Sequence, residues 1–149
     1  MNTKPLTLLG ALTFLFLLSG VGFVYGQEPE VKKEHYKNGN LKTETHYKNG
    51  ALDGLSTRWS KNGKKKFEKQ YINGKLDGLS TKWSKNGQKR LEEHFKNGKR
   101  DGLRIEWDET GKKKSEGHYK NGLKEGLWTE WSEDGKIKSE KHYKNGKEQ

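Results

Sequence analysis

The sequence predicts an all-β protein: an elongated single-layer antiparallel meander of about ten strands, built from five 24-residue β-hairpin repeats. Three observations carry this. Glycines punctuate the chain at alternating intervals of 11 and 13 residues. Asn precedes most of them, and the runs between carry Thr, Trp, Tyr and Phe, the strongest short-range hairpin signal. From Gln27 onward only 15 of 123 residues are Leu, Ile, Val or Phe, too few for a two-layer core. Composition this poor ordinarily means disorder, but disorder has no reason to space its glycines. A thin array, each unit burying a little against its neighbours, reconciles the two.

The elements follow in order. Residues 1–26 read as a secretory signal: Lys4 is the positive start, Leu8 to Leu18 an apolar core, and Val24-Tyr25-Gly26 sets small residues before a cleavage site at Gln27. The alternative is an uncleaved anchor, since Pro5 to Tyr25 spans 21 residues, just enough to cross a bilayer. Both place the rest outside the cytoplasm, as a periplasmic, cell-surface, secreted or membrane-anchored protein. Residues 27–30 form a linker. The repeats occupy 31–54, 55–78, 79–102, 103–126 and 127–149. Their turns sit at Gly39, Gly50, Gly63, Gly74, Gly87, Gly98, Gly111, Gly122, Gly135 and Gly146.

Register follows from which side chains can share a face. A two-residue turn at Asn62-Gly63 would put Phe67 opposite in sense to Trp59. A three-residue loop, Lys61-Asn62-Gly63, pairs Ser60 with Lys64 and Thr57 with Phe67, so that Leu55, Thr57, Trp59, Phe67 and Tyr71 point one way. The period of 24 is even, so this parity propagates. One face is then expected to carry Tyr47, Trp59, Phe67, Tyr71, Trp83, Phe95, Trp107, Tyr119, Trp131 and Tyr143, and the other Glu44, Glu68, Glu92, Glu116 and Glu140. Tyr36 and Trp128 break the pattern.

The repeat resembles the MORN family, more closely its bacterial variant, the MORN_2 repeat. The matching residues are Tyr47-Lys48-Asn49-Gly50, Asp53-Gly54-Leu55, Trp59 and Asn62-Gly63, recurring down the chain. The resemblance extends to proteins of the YwqK-type toxin–antitoxin antitoxin family. It implies an elongated twisted sheet of hairpins and roles in protein interaction, scaffolding or binding of acidic phospholipid. A secretory signal departs from a cytosolic antitoxin.

No enzyme is expected. There is no cysteine, no GxSxG, no phosphate loop and no HExxH. His46, His94, His118 and His142 recur at equivalent sites about 9.5 Å apart, too far to close a zinc shell; no cofactor or metal is expected. The glutamates read as a charge ladder. The net charge of +11 is spread along the chain. An exported protein with interrupted basic runs is not expected to bind nucleic acid. The function expected is a non-enzymatic protein-interaction or scaffold module. Its candidate face comprises Trp59, Tyr71, Trp83, Phe95, Trp107, Tyr119, Trp131 and Tyr143, rimmed by Asp77, Asp101 and Glu125. The alternatives are an antitoxin-like neutraliser of one toxin, and an envelope binder of anionic lipid or glycan.

Overall fold

The computed structural model describes residues 28–149; the signal read over residues 1–26 lies outside them. Eleven strands form one sheet in sequence order: β1 (Glu30–His35), β2 (Leu41–Lys48), β3 (Ala51–Trp59), β4 (Lys65–Ile72), β5 (Lys75–Trp83), β6 (Lys89–Lys96), β7 (Lys99–Trp107), β8 (Lys113–Lys120), β9 (Leu123–Trp131), β10 (Ile137–Lys144) and β11 (Lys147–Glu148). All pairs are antiparallel neighbours, so the chain is an open meander. The two-residue β11 makes eleven strands of the expected ten or so.

The alternating glycine spacing reflects two kinds of turn at opposite ends of the strands. At one end are three-residue loops: Ser60 N–H donates to Lys64 O (2.8 Å) and Gly63 N–H to Ser60 O (2.9 Å), the expected loop with Gly63 left-handed at φ 79°. Asp108 and Ser132 repeat it in the last two loops. At the other end are two-residue turns. Asn73 and Gly74 have φ of 47° and 77°, and Ile72 pairs directly with Lys75. Positive φ at both central residues twists the turn in the sense the strands require, which is why Asn-Gly recurs there.

The expected common face does not form. Trp59 pairs with Lys65, but Arg58 pairs with Phe67, skipping Lys66. The same one-residue bulge recurs between β5 and β6, β7 and β8, and β9 and β10. One extra residue reverses the facing of everything beyond it. Thr57 therefore opposes Glu68, not Phe67. Trp59, Trp83, Trp107 and Trp131 lie on one face, here the tryptophan face. Tyr71, Phe95, Tyr119 and Tyr143 lie on the other, the tyrosine face, with Tyr47 and Phe67. The glutamate column shares the tryptophan face: Thr57 Oγ1 donates to Glu68 Oε2 at 3.4 Å. A second irregularity sets His46 against Asp53-Gly54-Leu55, where Thr45 pairs with Ser56 and Tyr47 with Leu52. Two extra residues preserve parity, so this bulge bends the strand without flipping it. The repeat boundaries drawn at Gly54, Gly78, Gly102 and Gly126 thus fall inside strands.

Burial is slight. Trp128 is the one buried apolar side chain among the described residues, at 7% exposure. Its ring lies over Gly117, where a Cβ would meet it at 2.2 Å. It meets Tyr119 edge-on at 5.1 Å and Tyr143 at 6.3 Å, and its Nε1–H donates to His118 O. Trp128 departs from the odd-position pattern because it belongs to the tyrosine face.

Candidate functional site

Pairing brings the four tryptophans into a row beside the three-residue loops. Trp59 faces Lys65, Trp83 faces Lys89, Trp107 faces Lys113 and Trp131 faces Ile137. The order across the sheet is Trp-Lys-Trp-Lys-Trp-Lys-Trp. Each tryptophan is half-buried between neighbours. Lys65 Nζ stands 5.6 Å from the Trp83 ring centroid and Lys113 Nζ 5.8 Å from that of Trp131, within cation–π reach. The same lysines bond the glutamates: Lys65 to Glu68 at 2.5 Å, Lys89 to Glu92 at 2.6 Å, and Lys113 to Glu116. The bulge makes these pairs by bringing residues three apart onto one side.

A parallel row of leucines crosses the same face near the other strand ends. Leu55 pairs with Gln70, Leu79 with His94 and Leu127 with His142. These leucines are 44%, 41% and 43% exposed. The histidines are therefore partners of leucines along this row. Among the described residues no group of three or more His, Cys, Asp or Glu could hold a metal ion.

Between consecutive loops the tryptophan row opens into concavities. One, of about 430 Å³, is lined by Trp83, Lys61, Lys64, Lys65, Lys66 and Lys85, with Ser60, Asn62 and Ser84. No carboxylate lines it. A second, of about 450 Å³ around Trp131, includes Asp108, Glu109 and Glu133. The loop sequences explain the difference: Lys61-Asn62-Gly63 and Lys85-Asn86-Gly87 give way to Glu109-Thr110-Gly111 and Glu133-Asp134-Gly135. The Thr110 hydroxyl and the Thr110 and Lys112 backbone N–H groups hold the Asp108 carboxyl below its ordinary pKa. Ser132 and Lys136 do the same for Asp134.

Asp77, Asp101 and Glu125 do not rim this face. With Asp53 they close the two-residue turns: Asp53 accepts from Asn73 N–H (3.0 Å), Asp77 from Asn97, Asp101 from Asn121 and Glu125 from Asn145 (2.8 Å). Beside each, Gly74 N–H and its equivalents donate to backbone carbonyls such as Leu52 O (2.7 Å). Each repeat is thereby stitched to the next.

The tyrosine face is differently filled. Tyr47, Leu52, Tyr71, Leu76, Phe95, Arg100, Tyr119, Lys124 and Tyr143 form a row in which rings alternate first with leucines, then with cations. Burial pushes the Tyr71 hydroxyl pKa up. Arg100 stacks 5.4 Å from the Tyr119 centroid, and Lys124 lies 4.1 Å from that of Trp128. Glu93, 6% exposed, accepts from Arg100 Nε at 2.6 Å with Arg104 Nε at 3.4 Å. Burial pushes the Glu106 carboxyl up, but Arg104 and Lys114 together hold it below its ordinary value. These groups satisfy one another across the sheet, and the face reads as self-contained.

Of the eight residues expected to share a face, the structure brings together the four tryptophans and separates them from Tyr71, Phe95, Tyr119 and Tyr143. Leu55 lies on the tryptophan face as expected, whereas the lysines between the tryptophans, which sequence reasoning did not single out, become visible only in the bulged register. The ten turn glycines all adopt positive φ.

The model of the MORN repeat variant matches five times, over residues 31–49, 52–73, 76–97, 100–121 and 124–145. No curated protein matches the chain, so the likeness to the YwqK-type antitoxins has no relative behind it. The five matches follow the hairpin period and take in most of the described sheet, and on that basis the chain belongs to the MORN repeat variant family.

Proposed function

We propose that the protein is a non-enzymatic scaffold that docks a partner protein on its tryptophan face. The observation that carries this is the alternating Trp-Lys row beside a line of half-exposed leucines. Aromatic residues flanked by cations suit a partner segment with apolar anchors and carboxylates, because tryptophan supplies most energy per residue at interfaces and the lysines add charge complementarity. Both faces pair charges, Lys65 with Glu68 on one and Arg100 with Glu93 on the other, but Leu55, Leu79 and Leu127 stand exposed on the tryptophan face, beside a lysine-lined concavity with no carboxylate. The opening segment, read as a secretory signal, sets the encounter outside the cytoplasm. A toxin neutralised by this protein would be one such partner.

The lysine-lined concavity at Trp83 favours a second reading, an anionic lipid headgroup or glycan. The experiment separating the two uses Trp59→Ala/Trp83→Ala/Trp107→Ala beside a Tyr71→Ala/Phe95→Ala control. Each is used to capture cross-linked protein from the source cells, and each is titrated with vesicles of anionic phospholipid and with an acidic polysaccharide. A protein captured by wild type and the control but lost with the tryptophan set supports the scaffold. Equal capture by the tryptophan set overturns it. Vesicle or polysaccharide binding that collapses with added salt supports the second reading.

A further inference from the structure

We propose that the protein associates head to tail with further copies of itself, β1 of one copy completing on β10 of the next the strand that β11 occupies only in part. The two outer edges of the sheet are complementary. β11 pairs with β10 only at Tyr143 and Lys144, and Gln149 N–H adds one bond to His142 O. Among the described residues, no strand lies beside the outer edge of β10 from Ile137 to Lys141. At the opposite edge, β1 pairs with β2 alone among the described residues, and all six of its residues are exposed.

The two edges match in phase as well as in being open. β11 is the repeat equivalent of the first two residues of β9, Leu123 and Lys124. β1 is the equivalent of the last six, Gly126 to Trp131. Shifted by five repeats, β1 falls opposite the stretch of β10 from Ser139 to Lys141. A second copy therefore offers, with its preformed β1, the stretch of strand that β10 lacks.

Pairing in the register of β4 with β5, where Phe67, Glu68 and Lys69 oppose Lys82, Thr81 and Ser80, sets Ser139 against Glu34, Glu140 against Lys33 and Lys141 against Lys32 of the second copy. Lys33 already bonds Glu44 at 2.9 Å within its own chain, and would come to lie between two carboxylates. The two lysines directly opposed carry their own carboxylates, Glu148 at 2.9 Å from Lys141 and Glu30 at 3.6 Å from Lys32. At the loop end, Glu133 and Asp134 would stand beside Lys37, an acidic loop beside a basic one. Strand addition at an open edge is a general mode of association. The contact is heterologous, so it propagates in a line and does not close a dimer.

The chain has no cysteine, which makes the test clean. Glu34→Cys and Ser139→Cys are placed separately in the full chain, mixed and mildly oxidised. The expected result is a cross-linked dimer from the mixture and none from either variant alone, with a ladder of linked oligomers when both changes share one chain. A dimer from Ser139→Cys alone means symmetric β10–β10 pairing, and one from Glu34→Cys alone means β1–β1 pairing; each overturns the proposal, as does the absence of any link. A second measurement needs no cysteine. Glu140→Lys, which sets like charges across the junction, is expected to lower the weight-average mass in sedimentation at fixed concentration. Mixing it with Lys33→Glu is expected to restore that mass. Unchanged mass in Glu140→Lys overturns the assigned register.

Discussion

Between β4 and β5, Lys69 faces Ser80; two repeats further on, between β8 and β9, the same two sites hold Gly117 and Trp128. The turns are closed by carboxylates in the same way in both places, but the bulge has moved by one residue: it falls opposite Gln70 in the earlier pair and opposite Gly117 in the later one, where Gly126 takes φ 70° against 111° at Gly78. In the earlier repeat, cohesion comes from the ladder, Tyr71 against Leu76 and buried Thr57 and Thr81 flanking Glu68. In the later one an indole fills the space a missing side chain leaves, touching two tyrosines and bonding a carbonyl. Hydrogen bonds and turn geometry are thus enough to set the fold. A hydrophobic core is an addition at one site, and it takes two matched residues to make it.

The sharpest way to break this contrast is Gly117→Val. A Cβ there meets the indole at 2.2 Å, so Trp128 must leave its site, at a cost of about 3 kcal/mol. Lys69→Val, the same change without an indole above it, is expected to cost less than about 1 kcal/mol. Denaturant midpoints of the two variants measure the difference, and similar losses would mean that Trp128 contributes no core. Next in size is a transplant. Lys69→Gly with Ser80→Trp places the same glycine and indole in the earlier repeat. The double variant is expected to exceed the sum of the single changes by about 1 kcal/mol, the added value of an aromatic cluster, in a thermal double-mutant cycle.

The smallest effect compares the loops. Asp108 and Asp134 have carboxyls held below their ordinary pKa by hydroxyl and backbone donors, while the loops before them use Asn62 and Asn86. A carboxyl depressed in the folded state contributes stability above its unfolded pKa, and that contribution is lost as pH falls through the folded value. Amide exchange at Gly111 and Gly135 is therefore expected to accelerate, relative to Gly63 and Gly87, as pH drops from about 5 toward 2. Equal acceleration at all four would show that these carboxylates do not hold their loops.

The strands and turns were legible because their signals are local: Asn-Gly at fixed intervals and Ser60 positioned to pair with Lys64. The facing of the aromatics was not, because it depends on a bulge at Lys66 that no residue announces. Lys64-Lys65-Lys66 reads equally well as a straight strand. A non-local signal was present nonetheless. In the bulged register Gly54 lies opposite Tyr71, Gly78 opposite Phe95 and Gly102 opposite Tyr119, and a ring laid over a strand glycine is a known means of covering exposed backbone. Matching the glycine and tyrosine columns would have fixed the parity, moved the glutamates to the tryptophan face and revealed the lysines between the tryptophans. The carboxylates of Asp53, Asp77, Asp101 and Glu125 point to the same lesson. Their place beside glycines suggests a rim until the neighbouring turn is seen, whose Asn N–H donates to the carboxylate.

The sequential order of the strands has a mechanical consequence. The first and last strands lie at opposite edges of the sheet, so tension applied through them runs across the strands and parallel to the hydrogen bonds of the ladder. The bonds then open one after another, as in a zipper, instead of sharing the load in shear. A ribbon built this way yields at low force, paying out about 80 Å of chain for each repeat that lets go, and the repeat gripped by Trp128 should be the last to give.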